Sequence, residues 1–273
     1  MKANAVNGLK LLCTIALAAT VAACGSMESG GTMQSGSSSS APKASAHGGG
    51  DLAAALAAAN RPAEDKARDA DRKPAELVQF FGVKPGMTTV DLIALGGYVT
   101  EVLSVAVGPK GKVYAQNPPV ALQLRDGMYA KAITERLANN RLPNVVRVDG
   151  DLPAASQIPP GSVDVAITEM NYHDIRNQNP EFGVGALKAV YTMLKPGGVL
   201  GVTDHVGNDG ANNAQLHRIP KHFLIEDAKA AGFTIDGESS VLAHAADDHT
   251  KLVFDPTLRG KTDQFAVRLR KPK

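Results

Sequence analysis

Tryptophan is absent from this chain, and 5 Tyr with 7 Phe make up only 4% of it. The core therefore has to be built from aliphatic side chains. Cysteine is almost as scarce. Cys13 and Cys24 are the two present, and from Gly25 onward none remains for disulfides, thiolate metal sites or a thiol nucleophile. An excess of charge is missing too: 29 Lys and Arg stand against 27 Asp and Glu, and loss of residues 1–23 would remove Lys2 and Lys10 and no acid, leaving 27 of each. So balanced a chain offers nucleic acid no electrostatic footprint. The apolar run from Leu11 to Ala23 falls short of the ~20 residues a membrane span needs. With Lys2 and Lys10 ahead of it, it has the layout of a secretory signal.

That signal ends in Val21-Ala22-Ala23-Cys24, which resembles the bacterial lipobox. The resemblance implies cleavage after residue 23 and a lipidated Cys24 as first residue of the mature protein. A plain secretory signal is the alternative, and the lack of any other use for Cys24 argues against it. Gly25, rather than Asp, follows the cysteine, which by the same resemblance implies a periplasm-facing protein, at the outer membrane if the envelope is Gram-negative. Residues 24–50 then form a tether, since Gly, Ser, Ala and Thr with almost no large apolar residue cannot offset the entropy of ordering. The folded domain is expected over 51–273.

Asp51 is a candidate N-cap for a helix over 51–60, and Pro74 opens a second that ends at Phe81-Gly82. From Met87 the pattern alternates between short apolar or β-branched runs and helical stretches, the signature of strand-helix units around a parallel sheet. Strands are expected at 87–93, 111–116, 144–149, 163–169, 198–205, 233–243 and 263–270, and helices at 97–107, 118–139, 181–194 and 219–231. No helical pattern separates the last two strands, which predicts an antiparallel edge pair on a seven-stranded, doubly wound, mostly parallel α/β sheet.

In such a sheet ligands sit over the carboxyl ends of the strands, and the first strand-to-helix turn is the usual contact. Here that turn reads Val90-Asp91-Leu92-Ile93-Ala94-Leu95-Gly96-Gly97-Tyr98. Later come Asn171-Tyr172-His173-Asp174 after the fourth strand, the turn Leu194-Lys195-Pro196-Gly197-Gly198 before the fifth, and Ala230-Ala231-Gly232-Phe233 before the sixth. In this order they resemble class I S-adenosylmethionine-dependent methyltransferases. Together with Arg72-Lys73-Pro74, Asp204-His205, His217-Arg218-Ile219, Asp247-Asp248-His249-Thr250 and Arg259-Gly260-Lys261, they resemble a bacterial family of predicted, often exported methyltransferases over residues 60–272.

The resemblance implies S-adenosylmethionine as cofactor and a small-molecule substrate. It places Asp91, Gly96, Gly97, Tyr98, Asn117 and Asp151 around the cofactor. Two departures stand out. Ile93 and Leu95 occupy positions where glycines are usual, and a β-branched residue resists positive φ, so the loop is expected to take another path or give up close ligand contact. The acid that normally grips the ribose is replaced by Gln116-Asn117. These departures support a rival reading, a methyltransferase fold that is non-catalytic or binds another metabolite. For catalysis, His173 is the candidate general base with Asp174 orienting it, and His205 a second rim histidine. The segment His244 to His249, even with His217 or His222, matches no standard zinc spacing and reads as a polar loop, so no metal is expected.

Overall fold

The computed structural model describes residues 49–152 and 157–273. The signal segment, Cys24 and most of the tether lie outside the described residues. Three helices come first: α1 (Gly49–Ala58), α2 (Ala63–Arg72) and α3 (Pro74–Phe81). The α/β alternation follows with β1 (Thr88–Leu92), α4 (Tyr98–Val107), β2 (Lys112–Asn117), α5 (Pro119–Leu137), β3 (Val145–Asp149) and β4 (Val163–Glu169). Then come α6 (Tyr172–Arg176), α7 (Pro180–Met193), β5 (Leu194–His205), α8 (Asn213–Leu216), α9 (Lys221–Ala230), β6 (Thr234–Ser239) and β7 (Gln264–Arg270).

The seven strands run in the order β3-β2-β1-β4-β5-β7-β6. The first five are parallel, and β7 lies antiparallel between β5 and β6. Strand alternation sends Val90, Leu92, Ala166, Leu200 and Val202 to one face, where they pack with residues of α7 and α9 such as Leu187, Val190 and Leu224. Val113, Val165, Ile167 and Val199 go to the other face, against α1, α3 and α4. Burial on both faces explains why the strands read as near-continuous apolar runs.

Three expectations are corrected. The helix expected over 118–139 is broken at Leu124–Gly127, where Arg125, Asp126 and Gly127 all have positive φ. The sixth strand ends at Ser239 and not at 243; most of the segment from there to β7 is irregular chain arching over the strand ends. Helix α2 falls in a stretch assigned no element, because AEDKARDADR carries no apolar stripe and Asp65 is its one buried residue. A helix polar all round draws its stability from partners elsewhere.

Candidate functional site

The loop from β1 to α4 lies at the carboxyl end of the parallel strands. Ile93, Leu95 and Gly97 all have positive φ, at 53°, 50° and 83°. Ile93 therefore does adopt the positive φ it was expected to resist: the backbone turns left-handed at alternate positions although two of the three carry side chains. Neighbouring amides hold it there. Gln116 Oε1 accepts from the Ile93 N–H at 3.2 Å, and Asn117 Oδ1 accepts from the Leu95 N–H at 2.7 Å while its Nδ2 donates to the Leu95 carbonyl at 3.3 Å. Both amide side chains are fully buried. Asn117, placed by sequence at the cofactor ribose, is thus spent on the loop itself.

Asp91 is buried beneath this loop and accepts a 2.6 Å hydrogen bond from the Thr100 hydroxyl. Burial pushes its carboxyl up from the usual 3.8 to about 7, and the negative charge of Glu169 adds to the effect. A Cβ added at Gly97 would fall 2.7 Å from Ile133 and 2.8 Å from the Arg136 side chain, and one at Gly96 would fall 3.3 Å from Ala132. Both glycines therefore face α5 closely. Tyr98, also expected at the cofactor, instead donates its hydroxyl to Asp69 of α2 at 2.7 Å. Burial, with that bond second, raises its phenol well above the ordinary value.

Helix α2 and the turn before it are anchored to the loop region by charge. Arg61 pairs with Asp69, Arg72 pairs with Glu169 at 2.7 Å, and Asp65 takes the Arg136 guanidinium at 2.7 Å. Glu101, in the first turn of α4, receives both Arg136 and Arg141. The Arg72 guanidinium also lies 4.4 Å from the Tyr98 ring centroid, a cation–π contact. Sequence reading singled out Arg72 and Tyr98 and none of the other residues in this network, because charged side chains in helices read as solvated faces.

The second half of the rim gathers the histidines. His173 follows β4, and His205 ends β5 beside it, with ring centroids 6.0 Å apart. Asp204, not Asp174, orients His173: Asp204 Oδ1 lies 2.7 Å from its Nδ1, and Oδ2 accepts from its backbone N–H at 2.8 Å. Asp174 approaches the opposite nitrogen, Nε2, at 3.3 Å, and His217 brings its Nδ1 to within 3.3 Å of the same atom. Both His173 nitrogens have polar neighbours: Nδ1 faces Asp204, and Nε2, the nitrogen left for the base role expected of it, faces Asp174 and His217. Burial opposes its charge, but Asp204 and then Asp174 outweigh burial and raise it to about 10. Hydrogen bonds from His173 and His217 overcome burial to hold Asp174 well below the usual carboxylate range. Burial drives His205 down to about 4, and its Nδ1 has no partner among the described residues.

The polar stretch 244–249 has structural partners. Asp247 forms a fully buried pair with Arg218 at 2.9 Å, and His249 Nε2 lies 2.9 Å from Asp263. Asp151 is exposed just past β3. Beside it opens a cleft of about 530 Å³ between α5 and the end of β3, lined by Pro119, Leu122, Gln123, Asp126, Ala130 and Asp149.

No protein-family model and no curated protein matches this sequence. Solved structures do. A SAM-dependent methyltransferase from Aquifex aeolicus superposes with a TM-score of 0.55 at 20% identity, over 78% of this chain and all of that one. The [4+2]-cyclase SpnF gives 0.55 at 18%, over 74% and 81%. A possible exported protein from Bordetella parapertussis gives 0.50 at 14%, over 76% and 68%. These likenesses agree with the strand order and the antiparallel β7: the chain has the fold of the class I S-adenosylmethionine-dependent methyltransferases.

Proposed function

We propose that this protein is an S-adenosylmethionine-dependent methyltransferase acting on a small molecule, held at the cell envelope by lipid on Cys24. The observation that carries the catalytic reading is the β1–α4 backbone, left-handed at residues 93, 95 and 97. Maintaining αL at Ile93 and Leu95 costs on the order of 1–2 kcal/mol per residue, and strain of this kind clusters where a backbone meets a ligand. This cradle fits the methionine end of the cofactor, above the Asp91 carboxylate. The adenosine end would reach the cleft beside Asp151. The bound cofactor supplies the methyl group; the chain supplies position. In this reading the acceptor substrate binds at the ends of β4 and β5, where His173, Asp174 and His205 lie.

A second reading has its own observation. Asn117 and Gln116 stand where the ribose acid is usual and are tied to the loop, and SpnF is a cyclase on the same fold. Calorimetry of the purified protein with S-adenosylmethionine separates the two readings. Saturable binding that weakens in Asp91→Asn supports the first, and no heat at about millimolar cofactor rejects it in favour of a different metabolite. The anchor has a separate test. Cys24→Ala should move the protein from the membrane pellet to the soluble fraction, since several acyl chains hold firmly where one binds only marginally. Unchanged partition would remove the lipid from the account.

A further inference from the structure

We propose that His173, Asp174 and His217 form a binding site for a divalent transition metal of the zinc class, with Asp204 as its supporting carboxylate. The inference stands on side-chain geometry alone and holds whether or not the fold transfers methyl groups. The three ligand atoms are His173 Nε2, His217 Nδ1 and Asp174 Oδ1, and each lies 3.3 Å from the other two. Hydrogen bonds of good geometry are closer to 2.9 Å, and the neighbouring His173–Asp204 contact shows what a true one looks like here at 2.7 Å. An equilateral arrangement at 3.3 Å has a different natural explanation. Bonds of about 2.0 Å around a tetrahedral ion place its ligand atoms about 3.3 Å apart.

The surroundings fit as well. Metal-bound histidines commonly direct their second nitrogen to a carboxylate, which fixes tautomer and ring orientation. The buried Asp204 does this to His173 and also grips its backbone N–H at 2.8 Å. His217 sits in the left-handed region with φ 54°, just past the end of α8. A non-glycine residue held there marks a position where the surrounding structure dictates the backbone. The fully buried Arg218, bonded to Asp247, Val206 and Lys251, pins the next residue, so His217 is presented on a rigid mount. The half-exposed Asp174 leaves one side of the triangle open to solvent. Two imidazoles, one carboxylate and an open position make a set suited to zinc and similar ions.

The test uses the unprocessed full-length chain, which keeps Cys13 and an unlipidated Cys24, treated with chelator and with both cysteines alkylated so that thiolates contribute nothing. Titration with Zn²⁺ should show one equivalent bound, with a rise in thermal midpoint, and Co²⁺ should give the visible absorption of a low-coordinate ion. Asp174→Ala and His217→Ala change residues with solvent-accessible side chains and should leave a folded protein. Each is expected to weaken Zn²⁺ binding at least about 100-fold, while Asp204→Asn weakens it by roughly 10- to 100-fold and retains the Co²⁺ spectrum. His249→Ala, which removes a histidine outside the triangle, should bind as the wild type does. The proposal is overturned if the wild-type protein takes up no Zn²⁺ at about 100 µM. It is equally overturned if affinity is unchanged in the Asp174→Ala/His217→Ala double variant.

Discussion

Asp91→Asn should make this protein more stable at pH 8. In the folded state the Asp91 carboxyl is pushed to about 7 by burial, against 3.8 when free. Between these values the native state holds a proton that the unfolded chain has released, so this group makes stability fall as pH rises from about 4 to 7. Each pH unit across that interval is worth about 1.4 kcal/mol, and the full span about 4 kcal/mol. An asparagine amide can still accept the Thr100 hydroxyl, which now donates to Asp91 at 2.6 Å, and it carries no charge to desolvate. With a urea slope of about 2 kcal/mol/M, the variant's midpoint should lie up to about 2 M above wild type at pH 8 and close to it at pH 4. Urea titrations of both proteins at the two pH values measure the difference directly, with all other titrating groups cancelling. A variant destabilised equally at pH 4 and pH 8 would show that Asp91 is not held neutral by burial. The same substitution should weaken S-adenosylmethionine binding, so stability and ligand binding are expected to move in opposite directions.

Gly201→Ala would place a Cβ 2.5 Å from the ring of the fully buried Phe81 and should cost about 1–3 kcal/mol in urea unfolding; an unchanged midpoint contradicts the packing of α3 on β5. Asp247→Ala leaves the Arg218 charge buried without its partner and should cost about 3–5 kcal/mol, much of it recovered in Asp247→Leu/Arg218→Met. Thermal melts check both, and a mild single variant rejects the burial of that pair. Ile93→Gly trades lost apolar contact and glycine entropy against relief of αL strain, so its stability should stay within about 1 kcal/mol of wild type. A loss well beyond that means the φ of 53° is not the strained feature described.

The sheet was largely legible from sequence because its strands are buried on both faces and separated by turn residues, as with Val163–Glu169 and the Lys195-Pro196-Gly197-Gly198 turn. Helix α2 was not, since its partners Glu169 and Arg136 lie far along the chain and no local period announces them. The loop at Ile93 misled for a related reason. Intrinsic preference argues against αL there, and the amides that override it come from Gln116 and Asn117 on the adjacent strand. At the histidine cluster, proximity in sequence suggested Asp174 as the residue that orients His173, through its Nδ1 or its Nε2. The β4–β5 register instead brings Asp204 to Nδ1, and Asp174 meets the other nitrogen. As a candidate ligand, His217 appeared as an accessory to the 244–249 stretch, whose own polar groups turn out to serve Arg218 and Asp263.

The placement of β7 bears on the order in which the sheet can close. β6 joins the sheet only through β7, and β7 inserts between it and β5. The strands β1 to β5 can associate with one another, but β5 keeps an open, apolar flank until residues 264–270 are in place. Val267 and Leu269, both fully buried in the finished sheet, cover that flank. A chain whose sheet lacks β7 therefore presents an unpaired interior edge, the kind that recruits foreign strands. Loss of residues 264–270 would remove an inner strand and leave β6 with nothing to pair with.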